Sequence, residues 1–172
     1  MDLTNCPAPV ASFIEPILGL TSWGVRQGYG SFLTFEFGQP RLEVKERISK
    51  RQRSAFVKGE WHLWIYCCHW RVMQDGMQIA WSEDSRQQIL KATDTLNGQN
   101  LISLDVDSKL GRSSFGFDLG GVLETWPYGS DHSEEQWMIY TDMEVFSYNA
   151  GGQYALHSSD TPDHEVRWLA LC

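Results

Sequence analysis

The chain has 172 residues, with 22 acidic against 14 basic side chains and a formal net charge of −8. At this length a single domain over residues 1–172 is expected, and eight Trp, eight Phe and six Tyr can supply its core. The acidic balance argues against a dedicated nucleic-acid-binding protein, because phosphate contacts need clustered positive charge.

The cysteines and the N-terminal segment indicate a cellular location. Four cysteines are present, two of them adjacent and two near the termini: Cys6, Cys67, Cys68 and Cys172. This is not the pattern of a small secreted disulfide framework. No basic and apolar leader is evident, and Glu15 and Pro16 interrupt the apolar run of residues 10–20, so neither a signal peptide nor a membrane span is expected. A reducing, bacterial-type cytoplasm is the predicted location.

The first quarter of the chain predicts three strands, at residues 17–26, 31–37 and 41–47. In the third strand Leu42 and Val44 alternate with charged residues, which is typical of a strand with one solvated face. Residues 48–59 are predicted to be a basic connection.

The stretch Trp61–Trp81 is the most distinctive of the sequence. Its first part, residues 61–73, carries aromatic and β-branched residues at both parities, which predicts one long strand covered on both faces. Asp75 and Gly76 suit the positive φ angles of a tight turn. We therefore predict a long central hairpin that returns along residues 77–81.

Residues 82–96 predict a helix. Ser82 or Ser85 can cap it, and Ser85 with Gln88 fits a capping box. Asn97 and Gly98 suit its end. A narrow apolar stripe is predicted to face the core: Ile89, Ala92, Thr93 and Leu96.

The second half predicts five strands, at residues 101–106, 115–119, 122–126, 137–148 and 153–157. An acidic loop is expected over residues 127–135. For residues 161–172 a short helix is predicted, and a strand is the alternative, because Pro162 can start a helix but the apolar pattern suits both.

Similar patterns recur in order along the chain and predict an internal duplication with halves of about 17–97 and 98–172. A shift of 76 places Trp61 on Trp137 without a gap, and a shift of 82 relates residues 31–38 to residues 113–120. We therefore expect a mainly β, α+β fold. It is an antiparallel sandwich or flattened barrel of about ten strands in two halves, with one bridging helix and a short C-terminal helix.

Cys67 and His69 are the first candidates for chemistry, since alternate strand residues share a face. A zinc site needs more ligands than this pair, and a nucleophilic cysteine needs a lowered pKa and a nearby base. Glu36 and Asp118 occupy matching places in the two halves and could form an acid–base pair, although an outer strand face explains them as well. No metal site, cofactor or catalytic residue is predicted.

Opposite charges mark the predicted partner surface. Its basic members lie in the connection of residues 48–59 and its acidic members in the loop of residues 127–135: Lys50, Arg51, Arg53, Asp131, Glu134 and Glu135.

The sequence leaves three classes of function open. The first is a non-enzymatic protein-binding module, neutralising a partner or forming a homodimer. A small-ligand-binding barrel is the second, and an enzyme using Cys67/His69 or Glu36/Asp118 is the third.

Overall fold

The computed structural model describes residues 1–171. Its two α-helices are α1 (Ala8–Ile14) and α2 (Arg86–Leu96), and single 3-10 turns cover Glu15–Ile17, Ile48–Lys50 and Asp163–Glu165. The strands of the described residues are β1 (Trp23–Gln27), β2 (Leu33–Phe37), β3 (Arg41–Arg47), β4 (Gln52–Lys58), β5 (Trp61–Ile65), β6 (Cys68–Gln74), β7 (Met77–Trp81), β8 (Leu101–Asp107), β9 (Arg112–Phe117), β10 (Gly121–Pro127), β11 (Glu135–Tyr140), β12 (Glu144–Asn149), β13 (Gln153–Ser158) and β14 (Leu169–Ala170).

The strands form two antiparallel sheets and a separate two-stranded ribbon. The larger sheet has the order β1-β2-β5-β11-β12-β13-β14, and the smaller has the order β7-β6-β10-β9-β8. The ribbon consists of β3 and β4 paired only with each other. The predicted mainly β, α+β antiparallel sandwich is therefore confirmed, and the flattened-barrel alternative is not.

Aromatic side chains from the inner faces of the two sheets form the centre of the core. Phe35 of the larger sheet stacks on Phe117 of the smaller, with ring centroids 6.3 Å apart. Trp137 meets Phe115 edge to face, and its Nε1–H donates to Ser113 Oγ at 2.9 Å. This bond satisfies the one polar group of a fully buried indole. Both predicted halves thus contribute to one core cluster.

Helix α2 follows its sequence pattern closely. Ser85 is the N-cap and accepts from the backbone N–H of Gln88 at 3.3 Å. The Gln88 side chain donates to the Ile79 carbonyl instead of completing the capping box. Gly98 has a φ of +96°, which allows the chain to leave the helix. All four residues of the predicted stripe are buried: Ile89, Ala92, Thr93 and Leu96.

The predicted central hairpin is correct only in its second part. β6 and β7 pair across the turn at Asp75–Gly76, but β5 lies in the other sheet. The buried residues change parity between the two strands, from Leu63 in β5 to Trp70 in β6. A continuous strand cannot bury both sets against one core, so the chain crosses between the sheets at residues 66–67.

The predicted duplication is not confirmed. β5 and β6 lie in different sheets, whereas their counterparts β11 and β12 pair with each other. Trp61 is half-buried at the start of β5, whereas Trp137 is fully buried within β11. The residues that join the core cluster change parity in both segments. The change from Leu63 to Trp70 occurs at the crossing between sheets, and the change from Ile139 to Phe146 occurs at the turn of residues 141–143. That shared change accounts for the similar patterns without similar three-dimensional units.

Three further expectations were wrong. Residues 52–58 form β4 instead of a connection, and the long strands predicted at 61–73 and 137–148 are each two strands. The C-terminal segment contains a single 3-10 turn and β14 instead of a helix. β14 pairs with β13, and the Leu171 N–H donates to the Gly152 carbonyl at 3.0 Å, because the edge of β13 offers unpaired backbone groups. With these changes the described residues hold fourteen strands instead of about ten.

No helix among residues 1–171 is long and apolar enough to cross a membrane.

Candidate functional site: the ribbon and the cleft beneath it

The ribbon, residues 41–58, has two different faces because side chains alternate along its strands. One face carries Leu42 opposite Val57 and Val44 opposite Ala55. We call this the outer face, since all four of these residues are exposed. Leu42 is 70% exposed and Val44 52% exposed. The four side chains therefore form a contiguous apolar strip on a ribbon that has no further sheet partner.

The ribbon also concentrates positive charge. Residues 41–58 hold seven of the 14 basic side chains of the sequence and only two of its 22 acidic ones. The ribbon therefore has a formal charge of +5, and the rest of the chain has −13. The basic residues are Arg41, Lys45, Arg47, Lys50, Arg51, Arg53 and Lys58. The positive charge of the chain is thus concentrated on the ribbon, and the rest of the chain is strongly acidic.

The inner face of the ribbon covers a cleft of about 330 Å³ on the outside of the larger sheet, which we call the ribbon cleft. Side chains from β1, β2, β3, β4, β5 and β11 line it: Arg26, Glu36, Glu43, Lys45, Phe56, Lys58, His62, Trp64 and Tyr140. The sandwich core supplies none of these residues. The cleft exists because the ribbon folds back over a sheet face that would otherwise be solvated.

A buried carboxylate and a histidine lie side by side at the base of the ribbon cleft. Glu36 and His62 are direct neighbours across the β2–β5 pair, and His62 Nδ1 is 2.7 Å from Glu36 Oε1. The other oxygen of Glu36 accepts from the backbone N–H of Gly59 at 3.0 Å. A Cβ at residue 59 would lie 2.4 Å from the Phe37 carbonyl oxygen, so only glycine allows this close approach. The carboxylate fixes the Nδ1 proton of His62, and Nε2 has no hydrogen-bond partner among residues 1–171.

Aromatic side chains form the walls of the ribbon cleft. Trp64 and Tyr140 meet edge to face with ring centroids 6.0 Å apart, and both are half-buried. Burial raises the pKa of Tyr140 above its usual value. On the ribbon side, Phe56 lies under the ammonium of Lys45, 5.2 Å from the ring centroid.

Ion pairs hold the base of the ribbon against the larger sheet. Arg41 forms a two-pronged pair with Asp142 in the β11–β12 turn. Lys58 Nζ lies 3.7 Å from Asp142 and 4.0 Å from Glu43. Glu43 Oε2 is nevertheless buried without a hydrogen-bond partner in the described chain. Arg26 and Lys45 have no carboxylate of residues 1–171 within 4 Å.

A second cleft, of about 360 Å³, lies on the outside of the smaller sheet. Arg71 and Glu124 are cross-strand neighbours there and form an ion pair. Asp107 is opposite Arg112 in the β8–β9 pair. Arg112 also has no carboxylate of the described residues within 4 Å, but Trp126 is the one aromatic side chain that lines this second cleft, whereas the ribbon cleft has Phe56, Trp64 and Tyr140.

The predicted partner residues lie in two places. Lys50, Arg51 and Arg53 are exposed at the tip of the ribbon, where Arg53 Nε lies 2.6 Å from Glu46 Oε1. The acidic members lie in and beside the loop between β10 and β11: Asp131, Glu134 and Glu135. Hydrogen bonds from Ser133 lower the pKa of Asp131, and the Glu135 carbonyl accepts from the Cys67 N–H.

The structure does not join the other sequence candidates into sites. His69 Nδ1 lies 3.1 Å from Ser82 Oγ, and no hydrogen bond joins His69 to Cys67. Burial, with Glu134 nearby, raises the pKa of Cys67 to about 11. Asp118 follows β9 of the smaller sheet and accepts from the backbone and side chain of Asn100, so it does not pair with Glu36. Within residues 1–171 no cluster of three or more His, Cys, Asp or Glu side chains could hold a metal ion.

Comparison with known proteins shows no matching family model, no matching curated protein and no matching solved structure.

Proposed function

We propose that this protein is a non-enzymatic binding protein whose ribbon docks on an acidic surface of a partner protein. The observation that carries the proposal is the combination of an exposed apolar outer face with a formal charge of +5 on residues 41–58. The apolar residues would provide most of the binding affinity. The charges would raise the association rate and fix the orientation of the partner on the ribbon. A contact of this kind can neutralise the partner, in the manner of an immunity protein.

The charge distribution favours a protein over a nucleic acid. The remaining chain, with a formal charge of −13, repels phosphate, whereas an acidic protein can present a local patch that meets only the ribbon. We also propose a bacterial-type cytoplasm as the location, with Cys6, Cys67 and Cys68 as unpaired thiols. Neither membrane contact nor a cofactor forms part of the proposal.

The test is capture of a partner with matched variants of the ribbon. Four baits are used in native lysate. They are the wild type, the tip variant Lys50→Glu/Arg51→Glu/Arg53→Glu, the outer-face variant Val44→Ser/Val57→Ser and, as the control, Lys91→Glu at an exposed position of α2. The proposal expects one acidic protein that the wild type and the control retain and that both ribbon variants lose.

The captured protein is then purified and titrated by calorimetry. Loss of three exposed charge pairs at ~0.2–1 kcal/mol each would weaken binding between threefold and about a hundredfold. Charge reversal also adds repulsion, so the loss for the tip variant should be at least this large. Equal binding by wild type and both ribbon variants would contradict the proposal, and so would the absence of any stoichiometric partner.

A homodimer is the second candidate, because the acidic residues of a second copy could receive the ribbon. Asp131, Glu134 and Glu135 offer the opposite charge to the ribbon tip. Sedimentation velocity at tens of micromolar tests this candidate at low and high salt. A dimer that the tip variant abolishes would identify the second copy as the partner, and a monomer at both salts would exclude it.

A further inference from the structure

We propose that the ribbon cleft binds a small aromatic anion, with the ring between the aromatic walls and the acid group at Arg26 and Lys45. This site is separate from the outer face of the ribbon, and its ligand is a small molecule instead of a protein. The inference depends on the cleft, its charges and its unsatisfied polar atom.

The size and walls of the ribbon cleft suit a planar ring. Its volume of about 330 Å³ falls at the lower end of the range of about 300–1,000 Å³ that is usual for small-molecule sites. Trp64, Tyr140 and Phe56 present apolar area from both the sheet and the ribbon. Trp64 meets Tyr140 edge to face and stacks on Tyr66 with ring centroids 5.7 Å apart, so a ligand ring would extend an existing aromatic cluster.

The charges of the cleft suit an anion. The carboxylate of Glu36 is held by His62 and by the Gly59 N–H, and that of Glu43 lies beside Lys58. Arg26 and Lys45 are exposed at the mouth, without a carboxylate partner among the described residues. An acid group placed at the mouth would meet two cations while remaining close to solvent, so its desolvation cost stays small.

A hydrogen-bond donor on the ligand would satisfy Glu43. Its Oε2 atom is buried without a hydrogen-bond partner in residues 1–171, because Lys58 Nζ, at 4.0 Å from this oxygen, is beyond hydrogen-bond distance. A buried acceptor left without a donor is unfavourable. A ligand hydroxyl or amine on the ring side opposite the acid group would supply the missing donor.

The probe is 6-hydroxy-2-naphthoate, titrated by isothermal calorimetry into the purified full chain. Two related compounds separate the features: 2-naphthol lacks the acid group, and 2-naphthoate lacks the hydroxyl. We expect saturable one-to-one binding of the probe, about tenfold weaker binding of 2-naphthol and weaker binding of 2-naphthoate by severalfold.

Variants assign the site. Arg26→Gln and Lys45→Gln should each weaken the probe by about tenfold, because each removes one charged contact to the acid group. Glu43→Gln should reduce the difference between the probe and 2-naphthoate. Lys91→Gln, at an exposed position of α2, is the control and should bind as wild type does. Circular dichroism and melting curves check that each variant is folded.

Four results would overturn the inference. The first three are no binding at millimolar probe, equal affinity for the probe and 2-naphthol, and unchanged affinity in both Arg26→Gln and Lys45→Gln. The fourth is loss of probe binding in Val44→Ser, since that result would place the probe on the outer face. The measurement uses the isolated chain, so its failure and the failure of partner capture are independent.

Discussion

Removal of the Glu36 carboxylate is the sharpest test of the structure beneath the ribbon. Glu36 is 4% exposed and joins three parts of the chain, because it lies on β2, bonds His62 on β5 and accepts from the Gly59 N–H at the end of the ribbon. In Glu36→Ala the Gly59 N–H, which is buried, loses its acceptor, and His62 Nδ1 loses its partner.

The expected loss in free energy of unfolding follows from these two bonds. A buried donor without an acceptor costs about 1–3 kcal/mol, and a hydrogen bond to a charged group contributes about 1.5–3 kcal/mol. The second figure is reduced because the His62 side chain is 19% exposed and water can replace its partner. Relief of the buried charge offsets part of the total, so Glu36→Ala should destabilise by about 2–4 kcal/mol. Glu36→Gln keeps an acceptor of the same shape and should cost about 0.5–1.5 kcal/mol.

Urea unfolding followed by tryptophan fluorescence measures both variants. Asp94→Ala is the matched control, since Asp94 is an exposed acid on α2 without a hydrogen bond or ion pair in the described chain, and it should stay within about 0.5 kcal/mol of wild type. A loss below about 0.5 kcal/mol for Glu36→Ala would refute the proposed bonding at the base of the cleft.

Three further outcomes are expected. Trp64→Ala should lower the free energy of unfolding by about 1.5–2.5 kcal/mol, and Trp137→Ala by roughly 3–5 kcal/mol, because Trp64 is half-buried and Trp137 is fully buried. Equal losses of stability in thermal unfolding would disprove this ordering. Ser85→Ala should destabilise by about 0.5–2 kcal/mol through loss of the α2 cap, with a neutral result in urea counting against the capping bond. The pKa of Cys67 is raised to about 11, so at pH 7 its thiol is protonated and the reactive thiolate forms only as the pH rises. At pH 7 iodoacetamide should therefore modify Cys67 at least about tenfold more slowly in the folded chain than in the urea-unfolded chain, as followed by mass spectrometry. Equal rates would contradict the raised pKa.

The ribbon cleft could not be predicted residue by residue. The sequence marks Glu36 as a candidate and matches it with Asp118, whereas the structure pairs it with His62. Glu36 and His62 are neighbours because β2 pairs with β5, and this pairing depends on the order of the strands in the sheet. The sequence between them predicts only a turn, a strand and a connection, which does not indicate that the two strands pair. A register shift of one residue would place either side chain on the opposite face, so spacing along the chain carries no information about this contact.

The sequence by itself determined the features that depend on residues close together in the chain. The stripe and cap of α2, the Asp75–Gly76 turn and the antiparallel β class follow from periodicity, capping chemistry and positive φ angles within a few residues. Tertiary structure decided the rest. It set which sheet each strand joins, the crossing at residues 66–67 and the return of the ribbon over Glu36, because these depend on which distant surfaces bury one another. The same parity change appears in residues 61–74 and 135–149, yet one becomes a crossing between sheets and the other a hairpin. Only the packing of the whole chain distinguishes the two.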